Sequence, residues 1–151
     1  MWGIVGGSGE YMFIGQYSFS LDSKNRLFIP ASFRMKKNEI FFLTCGMEKC
    51  LFMYTGQGWE AITEKFKNLS FTKSDARDFL RLFYSGASKL RLDAQGRILV
   101  PYKLCEYSKL KKDVVIIGVQ DRVEIWSKAI WTKYQLKVQG KYAQAAEKLI
   151  I

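Results

Sequence analysis

The chain repeats itself. Residues 19–30 read FSLDSKNRLFIP and residues 90–101 read LRLDAQGRILVP. At an offset of 71, Leu21 falls on Leu92, Asp22 on Asp93, Arg26 on Arg97 and Pro30 on Pro101. The apolar residues at 19, 27, 28 and 29 are matched by apolar residues at 90, 98, 99 and 100. The register continues at an offset of 72, where Gly46 falls on Gly118, Tyr54 on Trp126 and Trp59 on Trp131. The only two prolines of the chain and a pair of its four tryptophans thus coincide, which chance does not produce. A tandem duplication in 151 residues implies two small halves sharing one core.

Each copy is legible locally. Tyr17–Leu21 and Arg26–Ile29 are short, aromatic and β-branched, as strands are. Asp22-Ser23-Lys24-Asn25 between them supplies turn chemistry: Asp bonds the backbone two residues on, and Asn tolerates positive φ. Asp93-Ala94-Gln95-Gly96 does the same in the second copy, and Gly96 opposite Asn25 is the exchange a left-handed position predicts. Pro30 and Pro101 are expected to open short helical or irregular stretches. Ile40–Thr44 and Val114–Ile117 read as fully buried strands, turning near Gly46 and Gly118 into Leu51–Tyr54 and Val123–Trp126. A helix starting near Trp59 carries Ile62 and Phe66 on one face, and Trp131, Tyr134 and Val138 repeat that spacing. The link between copies also reads as a helix, with a capping box at Thr72-x-x-Asp75, an apolar stripe of Ala76, Phe79, Leu80 and Phe83, and a stop at Gly86. A helical tail follows Gly140.

Lysine and arginine number 24 against 14 acidic residues, a net charge of +10. Residues 1–88 carry 11 basic and 8 acidic groups, and residues 89–151 carry 13 and 6. Such a surplus favours polyanionic partners through counterion release. No apolar run approaches the roughly 20 residues that span a bilayer. Residues 1–11, with their Gly-Gly-Ser-Gly stretch, read as a leader or cloning remnant, so the natural start is expected at Met12 and the location in the cytoplasm. There is no histidine, and Cys45, Cys50 and Cys105 form no C-x-x-C pair, so reduced thiols are expected, with no metal and no cofactor. Without histidine no base–nucleophile pair is visible, and the chain is not expected to be an enzyme.

The twice-repeated Asp-x-x-x-Arg carries the functional signal. Arginine suits phosphate forks and bidentate contact with guanine. A carboxylate four residues earlier across a tight turn restricts its rotamers. Arg26 and Arg97 are therefore the candidate DNA readers, with Lys24, Lys89 and Arg91 adding charge for phosphate. Asp22, Asp93, Asn25 and Gly96 would orient the loops. An ion pair that merely stiffens a hairpin is the competing reading, but exposed pairs contribute only about 0–1 kcal/mol, which hardly demands repetition.

At these residues the sequence resembles the MraZ family, whose halves belong to the AbrB and SpoVT superfamily of swapped-hairpin DNA binders. The resemblance runs from Met12 to about Lys148. It includes Met12-Phe13-Ile14-Gly15, Asp22-Ser23-Lys24-Asn25-Arg26, Pro30-Ala31, Gly46 with Cys50-Leu51, and Asp75-Ala76-Arg77. Phe83-Tyr84-Ser85-Gly86-Ala87, Asp93-Ala94-Gln95-Gly96-Arg97, Pro101, Ile117-Gly118 and Ile125-Trp126 complete it. Asn25 departs from the Gly that many relatives carry. The resemblance implies an α+β fold: two AbrB-like swapped-hairpin halves forming one intertwined β core with flanking helices and pseudo-two-fold symmetry. The expected parts are repeats at 16–58 and 87–130, a helical connector at 59–86, and a C-terminal helix and tail at 131–151. It also implies a nucleoid-associated transcriptional repressor or other regulator that binds double-stranded DNA. A ring-shaped homo-oligomer, often an octamer, would engage direct repeats upstream of the division and cell-wall gene cluster.

Two binding functions compete with this one. An antitoxin-type interaction module would typically hold one copy plus a disordered partner-binding tail, whereas here both copies share a chain. An RNA binder would be expected to carry stacking aromatics in its exposed loops, and Asp22–Asn25 and Asp93–Gly96 hold none.

Overall fold

The two copies exchange strands. In the computed structural model, which describes residues 4–5 and 10–149, the copies build one six-stranded antiparallel sheet and a two-stranded arm. Most of the leader expected over 1–11, and the last two residues of the expected tail, lie outside the described residues. Short β1 (Ile4–Val5) and β2 (Glu10–Tyr11) pair with each other. The first copy then supplies β3 (Gln16–Ser20), β4 (Arg26–Phe28), β5 (Ile40–Cys45) and β6 (Leu51–Thr55). The second supplies β7 (Ser88–Arg91), β8 (Arg97–Leu99), β9 (Asp113–Val119) and β10 (Arg122–Ser127).

The sheet order is β3-β9-β10-β6-β5-β7. Each copy's first strand therefore lies at the edge beside a strand of the other copy: Tyr17 opposite Ile116, and Leu90 opposite Phe41. At the centre β6 meets β10, with Met53 opposite Val123 and Leu51 opposite Ile125. Under the repeat register each of these two pairs maps onto the other.

The strands that flank the turns at 22–25 and 93–96 do not pair with each other. Strand β4 pairs instead with β8, Arg26 opposite Leu99, Leu27 opposite Ile98 and Phe28 opposite Arg97. A two-stranded ribbon is not stable alone. This one is anchored because Leu27 (0% exposed) and Ile98 (1%) point into the sheet's core, and full burial of each contributes about 1.5–3 kcal/mol.

Strand alternation divides the sheet's faces. One side packs Leu51, Met53, Val114, Ile116, Val123 and Ile125 against the arm, with Phe13, Phe33 and Leu104. The other presents Phe52, Tyr54, Val115 and Trp126 to the helices. There α1 (Gly56–Phe66), α2 (Ser74–Ser85) and α4 (Lys128–Gln139) supply the half-buried Trp59, Phe66, Phe79, Trp131 and Tyr134. Trp59 stacks between Phe42 and Phe83, with ring centroids at 4.9 and 5.3 Å. These aromatics are packing residues, as their spacing suggested.

Both prolines act as helix N-caps. Pro30 precedes a single 3-10 turn (Ala31–Phe33), and Pro101 precedes α3 (Tyr102–Ser108). The tail forms α5 (Tyr142–Lys148). The strands expected to be fully buried are so only in part: Phe41, Leu43 and Val114–Ile116 are buried, while Ile40, Phe42 and Ile117 are half-buried.

One local expectation, at Thr72, is corrected, and two, at Gly118 and Gly86, are refined. Gly118 is not at a turn; it lies within β9, where the Phe13–Ile14 backbone crosses so closely that a Cβ would collide with it. The chain turns two residues later, at Gln120, which takes a φ of 60°. Thr72 caps nothing: α2 begins at Ser74 behind Lys73, and the Thr72 hydroxyl bonds Ser70 at 2.7 Å. Gly86 does end that helix, but in a right-handed conformation (φ −83°), so no left-handed cap demands it. Among the described residues no helix is long and apolar enough to cross a membrane.

Candidate nucleic-acid interface

The two Asp-x-x-x-Arg segments fold alike, atom for atom. Leu21 and Leu92 are buried, so each chain leaves the sheet anchored. Asp22 Oδ1 then accepts from the amides of Lys24 (2.9 Å) and Arg26 (2.8 Å), and Oδ2 accepts from Arg26 Nε at 2.8 Å. Asp93 accepts from the amides of Gln95 and Arg97, both at 2.9 Å, and from Arg97 Nε at 3.0 Å. The tip residues take left-handed backbone, Asn25 at φ 61° and Gly96 at φ 82°. That is the conformation glycine adopts freely and asparagine tolerates.

The turns are also tied to each other. The Ile29 amide donates to the Gly96 carbonyl at 3.0 Å, and the Val100 amide donates to the Asn25 carbonyl at 2.8 Å. Each copy thus satisfies the tip of the other. The arm joins Asp22, Asn25, Arg26, Asp93, Gly96 and Arg97 in one unit.

Both carboxyls are held below the ordinary carboxylate range. For Asp22 the chief cause is the bond from the Arg26 amide, which outweighs desolvation and is reinforced by the Arg26 side chain and the Lys24 amide. For Asp93 desolvation pushes the value up, and the Arg97 amide, the Arg97 side chain and the Gln95 amide together overcome it. Both carboxyls are therefore ionised at neutral pH.

The two arginines differ in availability. Arg26 keeps 35% of its side chain exposed and, among the described residues, commits only Nε. Arg97 keeps 19%. Its Nη1 lies 3.8 Å from Asp22 Oδ2, its Nη2 donates to Gln95 Oε1 at 3.3 Å, and its guanidinium sits over the Phe28 ring at 5.9 Å. Lys24 is exposed at the first tip, and Lys89 is exposed on β7.

Arg91 stands two residues before Asp93 of the second turn. It is exposed at the end of β7, and Nη1 donates to the Asn38 carbonyl at 3.3 Å, so part of its donor set holds a neighbouring loop. The residue that the sequence reading missed is Arg34. Its guanidinium lies where a Cβ at position 96 would fall, 2.8 Å from Cζ, and it covers the second tip. Gly96 is accordingly buried, whereas Asn25 is half-exposed. Comparing copies conceals Arg34, because the matching position is the buried Cys105. The charge run Arg34, Lys36, Lys37 was the available signal.

A family model described as "MraZ protein, putative antitoxin-like" matches residues 12–82 and 83–150. The "Transcriptional regulator MraZ" of Carboxydothermus hydrogenoformans is 49% identical over 139 residues, covering 92% of this chain and 97% of that protein. Proteins of the same name from Heliobacterium modesticaldum and Moorella thermoacetica are 50% and 47% identical over the same length, each covered to 97%.

Proposed function

The chain belongs to the MraZ family, and from that premise we propose that it is a non-enzymatic transcriptional regulator that grips duplex DNA with the two Asp-x-x-x-Arg turns. The observation that carries this is the arm. Two arginines oriented by carboxylates, with Lys24 exposed beside them, stand on one rigid ribbon in a chain of net charge +10. Such a ribbon offers guanidinium forks for base edges or phosphates, and a lysine for phosphate.

The exchange of strands between copies supports reading residues 16–58 and 87–130 as AbrB-like swapped-hairpin repeats about a pseudo-two-fold. Residues 59–86 then form the connector and 131–151 the C-terminal helix and tail. A single subunit presents one small arm. Affinity for direct repeats then calls for several arms at once, which a closed cyclic homo-oligomer, an octameric ring in our reading, provides through avidity. The targets are direct repeats upstream of the division and cell-wall genes, bound in the cytoplasm at the nucleoid.

A gel shift of the purified protein on its own upstream DNA tests the function, with scrambled duplex as competitor. A shift that resists the competitor supports the reading, and equal competition overturns sequence specificity. Light scattering at micromolar concentration tests the assembly, and a stable monomer would refute the ring. The antitoxin-like wording of the family description favours one second reading, a module that captures a protein partner. In that case Arg26→Ala would leave DNA binding unchanged.

A further inference from the structure

We propose that the cleft between the Met35–Asn38 loop and the Asp93–Gly96 turn is a phosphate site that holds the DNA backbone beside the second turn. This rests on the DNA reading above. The cleft is about 290 Å³ and takes its walls from both copies: Arg34, Lys36, Lys37 and Asn38 from the first, Asp93 and Gly96 from the second. Three cations thus line one small concavity.

The cationic wall is built rather than loose. Buried Glu39 (3% exposed) accepts the amides of Met35 (2.7 Å) and Lys36 (3.4 Å) on Oε1. Asn38 takes a left-handed φ of 56°, and its carbonyl receives Arg91. Lys36 and Lys37 project into solvent from this fixed loop. The guanidinium of Arg34 is not consumed by an ion pair among the described residues, and its buried Nε has no hydrogen-bond partner there. The carboxylate on the wall, Asp93, already accepts three N–H groups from Gln95 and Arg97. Its charge is matched by Arg97, so it leaves the cleft's surplus positive. A guanidinium flanked by two ammonium groups is a phosphodiester's complement.

The first turn carries no counterpart of Arg34. The positions matching Arg34, Lys36 and Lys37 at an offset of 71 are Cys105, Tyr107 and Ser108, none of them basic. The two copies thus differ at these three positions.

The test is anisotropy of a labelled non-specific duplex between about 50 and 200 mM salt, where each lost phosphate contact flattens the log–log slope by roughly 0.9. Lys36→Ala/Lys37→Ala is compared with Lys133→Ala/Lys137→Ala, which removes the same charge from α4 across the sheet. The site pair is expected to flatten the slope by at least one contact per engaged subunit, and the α4 pair is not. Equal slopes for the two pairs overturn the site while leaving the DNA reading intact. A wild-type protein that binds no duplex at low salt overturns that reading, and the site with it. Arg34→Gln should flatten the slope further. Because it also touches the Gly96 turn, the exposed lysine pair decides.

Discussion

Arg97 Nη1 lies 3.8 Å from Asp22 Oδ2, a contact between the second copy's arginine and the first copy's carboxylate. Among the described residues no ion pair joins Arg26 to Asp93, so the arm is symmetric in backbone and asymmetric in charge. Asp22 serves both arginines, and Asp93 serves one.

Asp22→Ala should therefore loosen both guanidinium groups, and Asp93→Ala only Arg97. The expected outcome is a larger loss of discrimination between cognate and scrambled duplex for Asp22→Ala, with charge-driven binding kept in both variants. Competition binding at fixed salt reads the difference. Equal losses would show that the 3.8 Å contact does no orienting.

The tips make a stability prediction. Gly96→Ala places a Cβ at φ 82° and against Arg34. A left-handed non-glycine residue costs about 1–2 kcal/mol, and the displaced guanidinium adds to it. Asn25→Gly removes the strain at φ 61° but widens the unfolded ensemble by about 0.4–1 kcal/mol, so the effects nearly cancel. Urea denaturation should show a clear loss for the first and little change for the second.

The sequence disclosed these turns because their determinants are local: a carboxylate two residues before the amide it accepts, and a left-handed tip filled by Asn or Gly. The prolines and the aromatic helix faces were legible for the same reason. Which strand each turn serves was not, because Leu27 opposite Ile98 and Tyr17 opposite Ile116 are contacts between copies that no local pattern encodes. Gly118 misled because a strand glycine under a crossing backbone and a turn glycine look the same in one sequence. Arg34 was hidden because only the fold brings it onto Gly96, 62 residues away in the numbering.

The pH dependence follows from the two depressed carboxyls. A folded value below the unfolded 3.8 means that the turns add stability that is fully present above that value. It is lost as pH falls through the lower folded value. With no histidine, nothing of that type titrates between these carboxyls and neutrality. Thermal melts should be level from about pH 8 to pH 5 and decline only below about pH 4. Removing both carboxylates (Asp22→Asn with Asp93→Asn) should shrink the acid decline, and an unchanged decline would place its source elsewhere.

The last prediction separates the two arginines. If both read base edges, Arg26→Ala and Arg97→Ala should each cost about 1–3 kcal/mol at the cognate repeats and far less on scrambled DNA. If they touch only phosphate, cognate and scrambled affinity should fall together and the salt slope should shrink by about one per contact. The structure adds a difference in stability. Arg26 holds a single half-exposed pair, worth about 0–1 kcal/mol, so its removal should barely shift the melting temperature. Arg97 joins Asp93, Asp22, Gln95 and the Phe28 ring, and losing it frees all four. Arg97→Ala should therefore melt earlier than Arg26→Ala, and its binding loss must be measured well below its own transition. Binding of both variants to the cognate repeats at wild-type strength would remove the turns as the reading head. The Lys109–Lys112 segment would then be the next surface to mutate.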